Sequence, residues 1–185
     1  ETVYQCRAKG IFRNRKIKPL VGDNVEFSVL DETDKEGNID QILPRKNTLI
    51  RPEVANVDQA LILFAAAEPD PNLNLLDRFL VMMERAEVPV ILCFNKIELC
   101  PKERLEEYRK IYEDAGYPVH LISAKKDWGI EDVRRFIHGK TTVLAGPSGV
   151  GKSSLTNLIQ PKASMETGAV SEKIKRGRHT TRHSQ

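Results

Sequence analysis

The 185-residue sequence lacks any long apolar run, holds only three cysteines and one tryptophan, and is 6% aromatic. Its longest apolar stretches, 60–67 and 88–94, fall far short of the ~20 residues that a membrane-spanning helix needs, so no membrane partner is expected. Cys6, Cys93 and Cys100 are an odd set without C-x-x-C spacing, which gives no disulfide framework and fits a reducing cytoplasm. No charged-then-apolar secretory segment opens the chain, and no internal repeat or low-complexity linker divides it. It begins at Glu1 and ends at Ser184-Gln185 without an evident stop to the fold, so a longer natural protein is expected. What is present, 40% apolar and 30% charged residues, suits one ordinary globular domain or two small ones.

The net charge of +3 hides an uneven distribution. Arg7, Lys9, Arg13, Arg15, Lys16 and Lys18 form a run with no acid, and 171–185 sets five basic residues against Glu172 alone. Both ends can therefore meet phosphate, and the first run is a candidate RNA-binding surface; the competing reading is a solvated face.

Two rhythms divide the chain. Up to about Pro52 the pattern is short and strand-like: 3–6, 24–30 and 39–43, with hairpin chemistry at 34–38, where Gly37 and Asn38 tolerate positive φ. From residue 53 onward, apolar strands alternate with helical stretches. Strands are expected at 60–66, 88–94, 119–122 and 141–145, and Leu75, Leu76, Phe79, Leu80 and Met83 mark the first helix. Such alternation buries a parallel sheet between helices, with ligands beyond the carboxyl ends of the strands. The expected domains are thus 1–52, a β unit, and 53–185, an α/β unit.

The last of these strands runs into Gly146-Pro147-Ser148-Gly149-Val150-Gly151-Lys152-Ser153-Ser154 and then a helical stretch. This matches the phosphate loop G-x-x-x-x-G-K-[ST] in its strand–turn–helix setting. The glycines let the backbone curl so that its N–H groups and the helix N-terminus point at one anion. Lys152 adds a full charge toward the β- and γ-phosphates, and the Ser153 hydroxyl can complete an Mg²⁺ shell. Asn95-Lys96-Ile97-Glu98 and Ser123-Ala124-Lys125, each directly after a strand, resemble the N-K-x-D and S-A-K elements of GTPases. By that resemblance Glu98 accepts from guanine N1 and N2, Asn95 ties loops together near N7, Lys96 lies along the base, and the Ala124 N–H reaches O6. Adenine lacks the complementary groups, so it would leave buried polar atoms unpaired. Glu98 stands where the element has Asp, and its extra methylene shifts the acceptors by about 1 Å or changes their rotamer.

The order of these motifs is unusual, because the base loops precede the phosphate loop. With a β module in front and Arg176-Gly177-Arg178-His179-Thr180-Thr181 behind, the whole chain resembles the ribosome small-subunit-dependent GTPase A family, RsgA, also called YjeQ or YloQ. The resemblance implies an OB-fold followed by a circularly permuted P-loop GTPase domain. It also implies GTP hydrolysis stimulated by the small (30S) ribosomal subunit and its rRNA, in late maturation of that subunit, by a cytoplasmic monomer. Thr180 and Thr181 fall in the first switch, with Thr181 as an Mg²⁺ ligand. Family members also carry a D-x-P-G element and a Cys/His domain that binds Zn²⁺, and neither occurs in this sequence. The residues given can therefore build a nucleotide cradle, whereas no residue is assignable as catalytic base. Two other readings compete: a guanylate-kinase-like phosphotransferase, suggested by the same phosphate loop and Thr180-Thr181-Arg182, and an RNA-binding module with a non-hydrolytic GTP site.

Overall fold

The computed structural model describes residues 2–10, 12, 17–160, 170–171 and 176–177. The chain divides into two compact units, Glu1–Val57 and Asp58–Gln185.

In the first unit, β1 (Gln5–Ala8), β2 (Val25–Asp31) and β3 (Glu36–Ile42) form a sheet in the order β1-β3-β2. β2 and β3 are antiparallel neighbours, while β1 runs parallel to β3. The turn between β2 and β3 differs from the expected one. Asp31 accepts from the Thr33 and Asp34 N–H groups at 2.6 and 2.9 Å, and the positive φ falls on Lys35. A carboxylate-built turn thus replaces the glycine-built one, and Gly37 and Asn38 lie inside β3. β4 (Thr48–Ile50) and β5 (Glu53–Ala55) make a hairpin that the sequence rhythm does not reveal. Because β5 pairs with β4, the first unit extends past residue 52 to Val57. Arg45 fastens the hairpin's approach, donating to both Asp23 carboxylate oxygens at 2.7 and 2.9 Å and to the Lys18 carbonyl at 2.8 Å. Burial works to raise the Asp23 carboxyl, but Arg45 and the Leu20 N–H outweigh it and hold the group below its ordinary value.

The second unit alternates as expected: β6 (Gln59–Ala65), α1 (Leu73–Arg85), β7 (Val90–Asn95), a 3₁₀ turn (Ile97–Leu99), α2 (Lys102–Asp114), β8 (Val119–Leu121), α3 (Ile130–Ile137), β9 (Thr142–Ala145) and α4 (Lys152–Ile159). The sheet order is β8-β7-β6-β9, all parallel. Every residue of β6 and β7 is buried, because helices cover both faces. Leu61, Leu63, Ile91 and Cys93 pack with Ile130 and Val133 of α3 and Leu155 of α4. Their alternates face the other way: Phe64 meets Phe79 of α1 at 6.0 Å between ring centroids, and Phe94 stacks on Tyr108 of α2 at 5.1 Å. Each such buried side chain contributes about 1.5–3 kcal/mol. Asn72 caps α1 by accepting from the Leu75 N–H at 3.0 Å, and the Tyr112 hydroxyl of α2 donates to Asp77 of α1 at 3.0 Å. The helix after β6 thus lies on one face and the helix after β9 on the other. Their strands are neighbours, so a switch point opens beyond their carboxyl ends. β10 (Val170–Ser171) and β11 (Arg176–Gly177) form a short antiparallel pair. Among the described residues no helix is long and apolar enough to cross a membrane.

Candidate nucleotide-binding site

The loop after β9 lies at this switch point. Gly146 has φ of 154° and Gly151 φ of 98°, both disfavoured by side-chain-bearing residues. Space makes the same demand: a Cβ on Gly146 would collide with the Leu63 carbonyl of β6, and one on Gly151 with the Asn95 side-chain amide. The backbone is consequently wound tightly at this turn. Gly151, the N-cap of α4, offers no side chain to the leading N–H groups, the kind of helix end that receives an anion. Lys152 folds back over the loop, its ammonium donating to the Gly146 and Pro147 carbonyls at 3.0 and 2.6 Å. Burial pushes its pKa below that of an ordinary lysine, which makes an anionic partner favourable there.

Asn95, at the end of β7 and 2% exposed, joins the two other loops to this one. Its Nδ2 donates to the Val150 carbonyl at 2.8 Å, and its Oδ1 accepts from the Ala124 N–H at 2.9 Å. The N–H assigned to guanine O6 is thus committed to Asn95 here. Ser123 is fully buried and closes its loop by exchanging backbone hydrogen bonds with Trp128 at 3.0 and 3.1 Å. Its Oγ also accepts from the Lys126 N–H at 3.1 Å, leaving Lys125 exposed at the tip.

Lys96 adopts a left-handed conformation, φ 62°, that turns the chain from β7 into the 3₁₀ turn. Its ammonium donates to the Glu68 carbonyl in the loop after β6. Burial lowers its pKa, and the Glu68 and Glu98 carboxylates oppose that shift. Glu98 sits in the 3₁₀ turn with Oε2 buried and, among the described residues, without a hydrogen-bond partner. A buried, partnerless carboxylate oxygen costs free energy until a donor arrives.

The predicted nucleotide residues 95–98, 123–125 and 146–154 therefore all lie on loops at the carboxyl ends of β7, β8 and β9 or on the first turn of α4. Thr180, Thr181, Arg13, Arg15 and Lys16 lie outside the described residues. The remaining members of the basic run have acidic partners: Arg7 pairs with Glu36 at 3.8 Å, Lys9 with Asp40, and Lys18 with Glu53. Such exposed pairs are worth only about 0–1 kcal/mol each. Glu68 belongs to no sequence motif; its signal is the proline-rich Glu68-Pro69-Asp70-Pro71 directly after a strand of the same sheet. Cys93, also under this site, is deeply buried, which pushes its thiol up to about 12 and leaves it a packing residue.

Comparison with known proteins places this geometry in context. Residues 42–185 match the family model described as RsgA GTPase, and residues 1–39 that of the RsgA N-terminal domain. The chain is 58% identical over 184 residues to the small ribosomal subunit biogenesis GTPase RsgA of Agathobacter rectalis, covering all of this chain and 61% of that protein. With the protein of the same name from Alkaliphilus metalliredigens it shares 52% over 181 residues, 98% of this chain and 62% of the relative. The chain thus spans about three fifths of the length of these relatives. The crystal structure of YjeQ from Thermotoga maritima superposes with a TM-score of 0.75 at 39% identity, covering 87% of this chain and 58% of that one. YloQ, described as a circularly permuted GTPase, gives 0.70 at 44% identity, over 90% and 58%.

Proposed function

The chain belongs to the RsgA GTPase family, and from that premise we propose that it binds GTP and GDP, hydrolyses GTP as part of the whole protein, and assists maturation of the small ribosomal subunit. Its relatives bear that role in their names. The observation that carries the nucleotide reading is Asn95, which ties the loop before α4 to the loop carrying Ala124.

Each part has a distinct task in this reading. The backbone N–H groups of 146–153, Pro147 excepted, receive the phosphates. Lys152 exchanges two carbonyls for phosphate oxygens, a gain because a full negative charge replaces two dipoles. Glu98 accepts from guanine N1 and N2, and the stem of Lys96 covers one side of the base. Serving O6 requires the Ala124 N–H to be shared with Asn95. A hydroxyl on the first turn of α4 suits magnesium, which takes oxygen ligands, so Ser153 would hold Mg²⁺ together with Thr181. When bound, Mg²⁺ neutralises charge on the β- and γ-phosphate oxygens. A guanylate-kinase-like transfer has no use for base loops bolted to the phosphate loop by Asn95, which favours the GTPase reading. The partner surface is the basic run Arg7 to Lys18 meeting rRNA, and the protein acts as a cytoplasmic monomer.

Titration of fluorescent GTP, GDP and ATP against the full-length protein, with and without small subunits, tests this. Guanine nucleotides should bind at least tenfold more tightly than ATP, and phosphate release from GTP should rise with subunits. Equal affinity for ATP would refute the base assignment. GTP binding without any phosphate release would leave the non-hydrolytic RNA-binding module in its place.

A further inference from the structure

The loop from β6 to α1 belongs to none of the motifs, yet it reaches the base site. We propose that its Glu68-Pro69-Asp70 turn is a positioning element for guanine, holding the Lys96 side chain so that its methylenes form a fixed wall beside the base. This inference rests on the nucleotide reading above.

Three observations carry it. First, the Lys96 ammonium donates to the Glu68 carbonyl, while Lys152 donates to the phosphate loop's carbonyls at Gly146 and Pro147. Second, Lys96 and Glu68 are both left-handed, with φ of 62° and 48°, although neither is glycine. Backbone of that kind is unfavourable for a residue with a Cβ and persists only where surrounding contacts impose it. Third, the turn is anchored on both sides. The Ala66 N–H donates to the Asn95 carbonyl at 2.7 Å, Asp70 faces Arg104 of α2 at 3.7 Å, and Asn72 caps α1 immediately after. The carbonyl offered to Lys96 is therefore fixed relative to β7, from which Lys96 itself departs.

The charges around the ammonium agree. The contact that holds it is the Glu68 carbonyl, and the Glu68 and Glu98 carboxylates add favourable charge around it. Glu68 itself is exposed, so its replacement leaves no buried hole.

A double-mutant cycle on the full chain, read by fluorescent GDP affinity, tests the proposal. Because the contact is a backbone carbonyl, the informative change loosens the backbone that presents it: Glu68→Gly frees the turn, whereas Glu68→Gln removes only the charge. Glu68→Gly should weaken GDP about threefold when Lys96 is present, the size of one partly exposed charge contact, and more than Glu68→Gln does. In the Lys96→Met background Glu68→Gly and Glu68→Gln should bind GDP alike. Equal effects of Glu68→Gly in both backgrounds, or an effect no larger than that of Glu68→Gln, would overturn the positioning role while leaving the nucleotide reading intact. Absence of GDP binding by the unsubstituted chain would overturn both.

Discussion

Asn95→Ala removes one side chain and two loop contacts at once. The Val150 carbonyl loses a donor at 2.8 Å, and the Ala124 N–H loses an acceptor at 2.9 Å, at a site only 2% exposed. A buried polar group left unpaired costs about 1–3 kcal/mol, so two such groups set a range of about 2–6 kcal/mol. Water entering the vacated volume recovers part of this, so an expected loss near 2–4 kcal/mol follows, measured by urea unfolding. Nucleotide affinity should fall further than stability implies, because 146–151 and 123–125 lose the link that sets their spacing. GDP binding is expected to weaken at least tenfold, the equivalent of about 1.4 kcal/mol. Asn95→Asp separates the two contacts. It retains the acceptor for Ala124 but presents a carboxylate to the Val150 carbonyl, so its loss should concentrate on phosphate-loop function. If Asn95→Ala unfolds at the same urea concentration and binds GDP within twofold of the parent, the loops are organised by something else and the reasoning fails.

Lys152→Ala should abolish Mg-GTP binding or weaken it severely, since no water can replace a half-buried ammonium at the phosphates; unchanged affinity in a fluorescent-GTP titration would unseat the assignment. Glu98→Ala should cost roughly 1.5–3 kcal/mol of guanine affinity and erode the preference for GTP over ATP, whereas Glu98→Asp should be neutral or better, as competition binding would show. Small-subunit association should be tighter with a non-hydrolysable GTP analogue than with GDP and should weaken as salt rises. Reversing charge at Arg13, Arg15 and Lys16 should reduce it with GTP affinity nearly unchanged, and full co-sedimentation of that triple variant at moderate salt would return the cluster to an ordinary solvated surface.

The second unit was largely legible because its signals are local. Buried strands such as β6 read as unbroken apolar runs, here from Ala60 onward, and a phosphate loop is dictated by glycines whose neighbours leave no room for a Cβ. The first unit was harder, since its turn is made by Asp31 accepting backbone N–H groups, a device that any Asp near a strand end resembles. The hairpin 48–55 has three-residue strands, too short for alternation to register. Glu68 could not be read from sequence spacing, because its contact with Lys96 spans 28 residues and uses a backbone carbonyl that every residue possesses. Likewise the Ala124 N–H was assigned to the base by its motif alone, whereas its hydrogen bond to Asn95 depends on where two separate loops meet.

The pairing of β9 with β6 joins Gln59 to Thr142, and Asp58 to Thr141, across more than 80 positions of chain, and that separation has a kinetic consequence. Strands β6, β7 and β8 are successive neighbours and can assemble by short crossovers, but β9 must close a long loop against β6, which is the entropically slow step. The loops at the ends of β7 and β8 are therefore expected to form before the phosphate loop, with the complete pocket following when β9 docks. A nucleotide that needs both halves cannot template the early sheet. It acts instead on the last event, lowering the population of molecules in which β9 and α4 have come away. Protease cleavage or hydrogen exchange at 142–159 should consequently slow with added GDP, while the amides of β7 should change least.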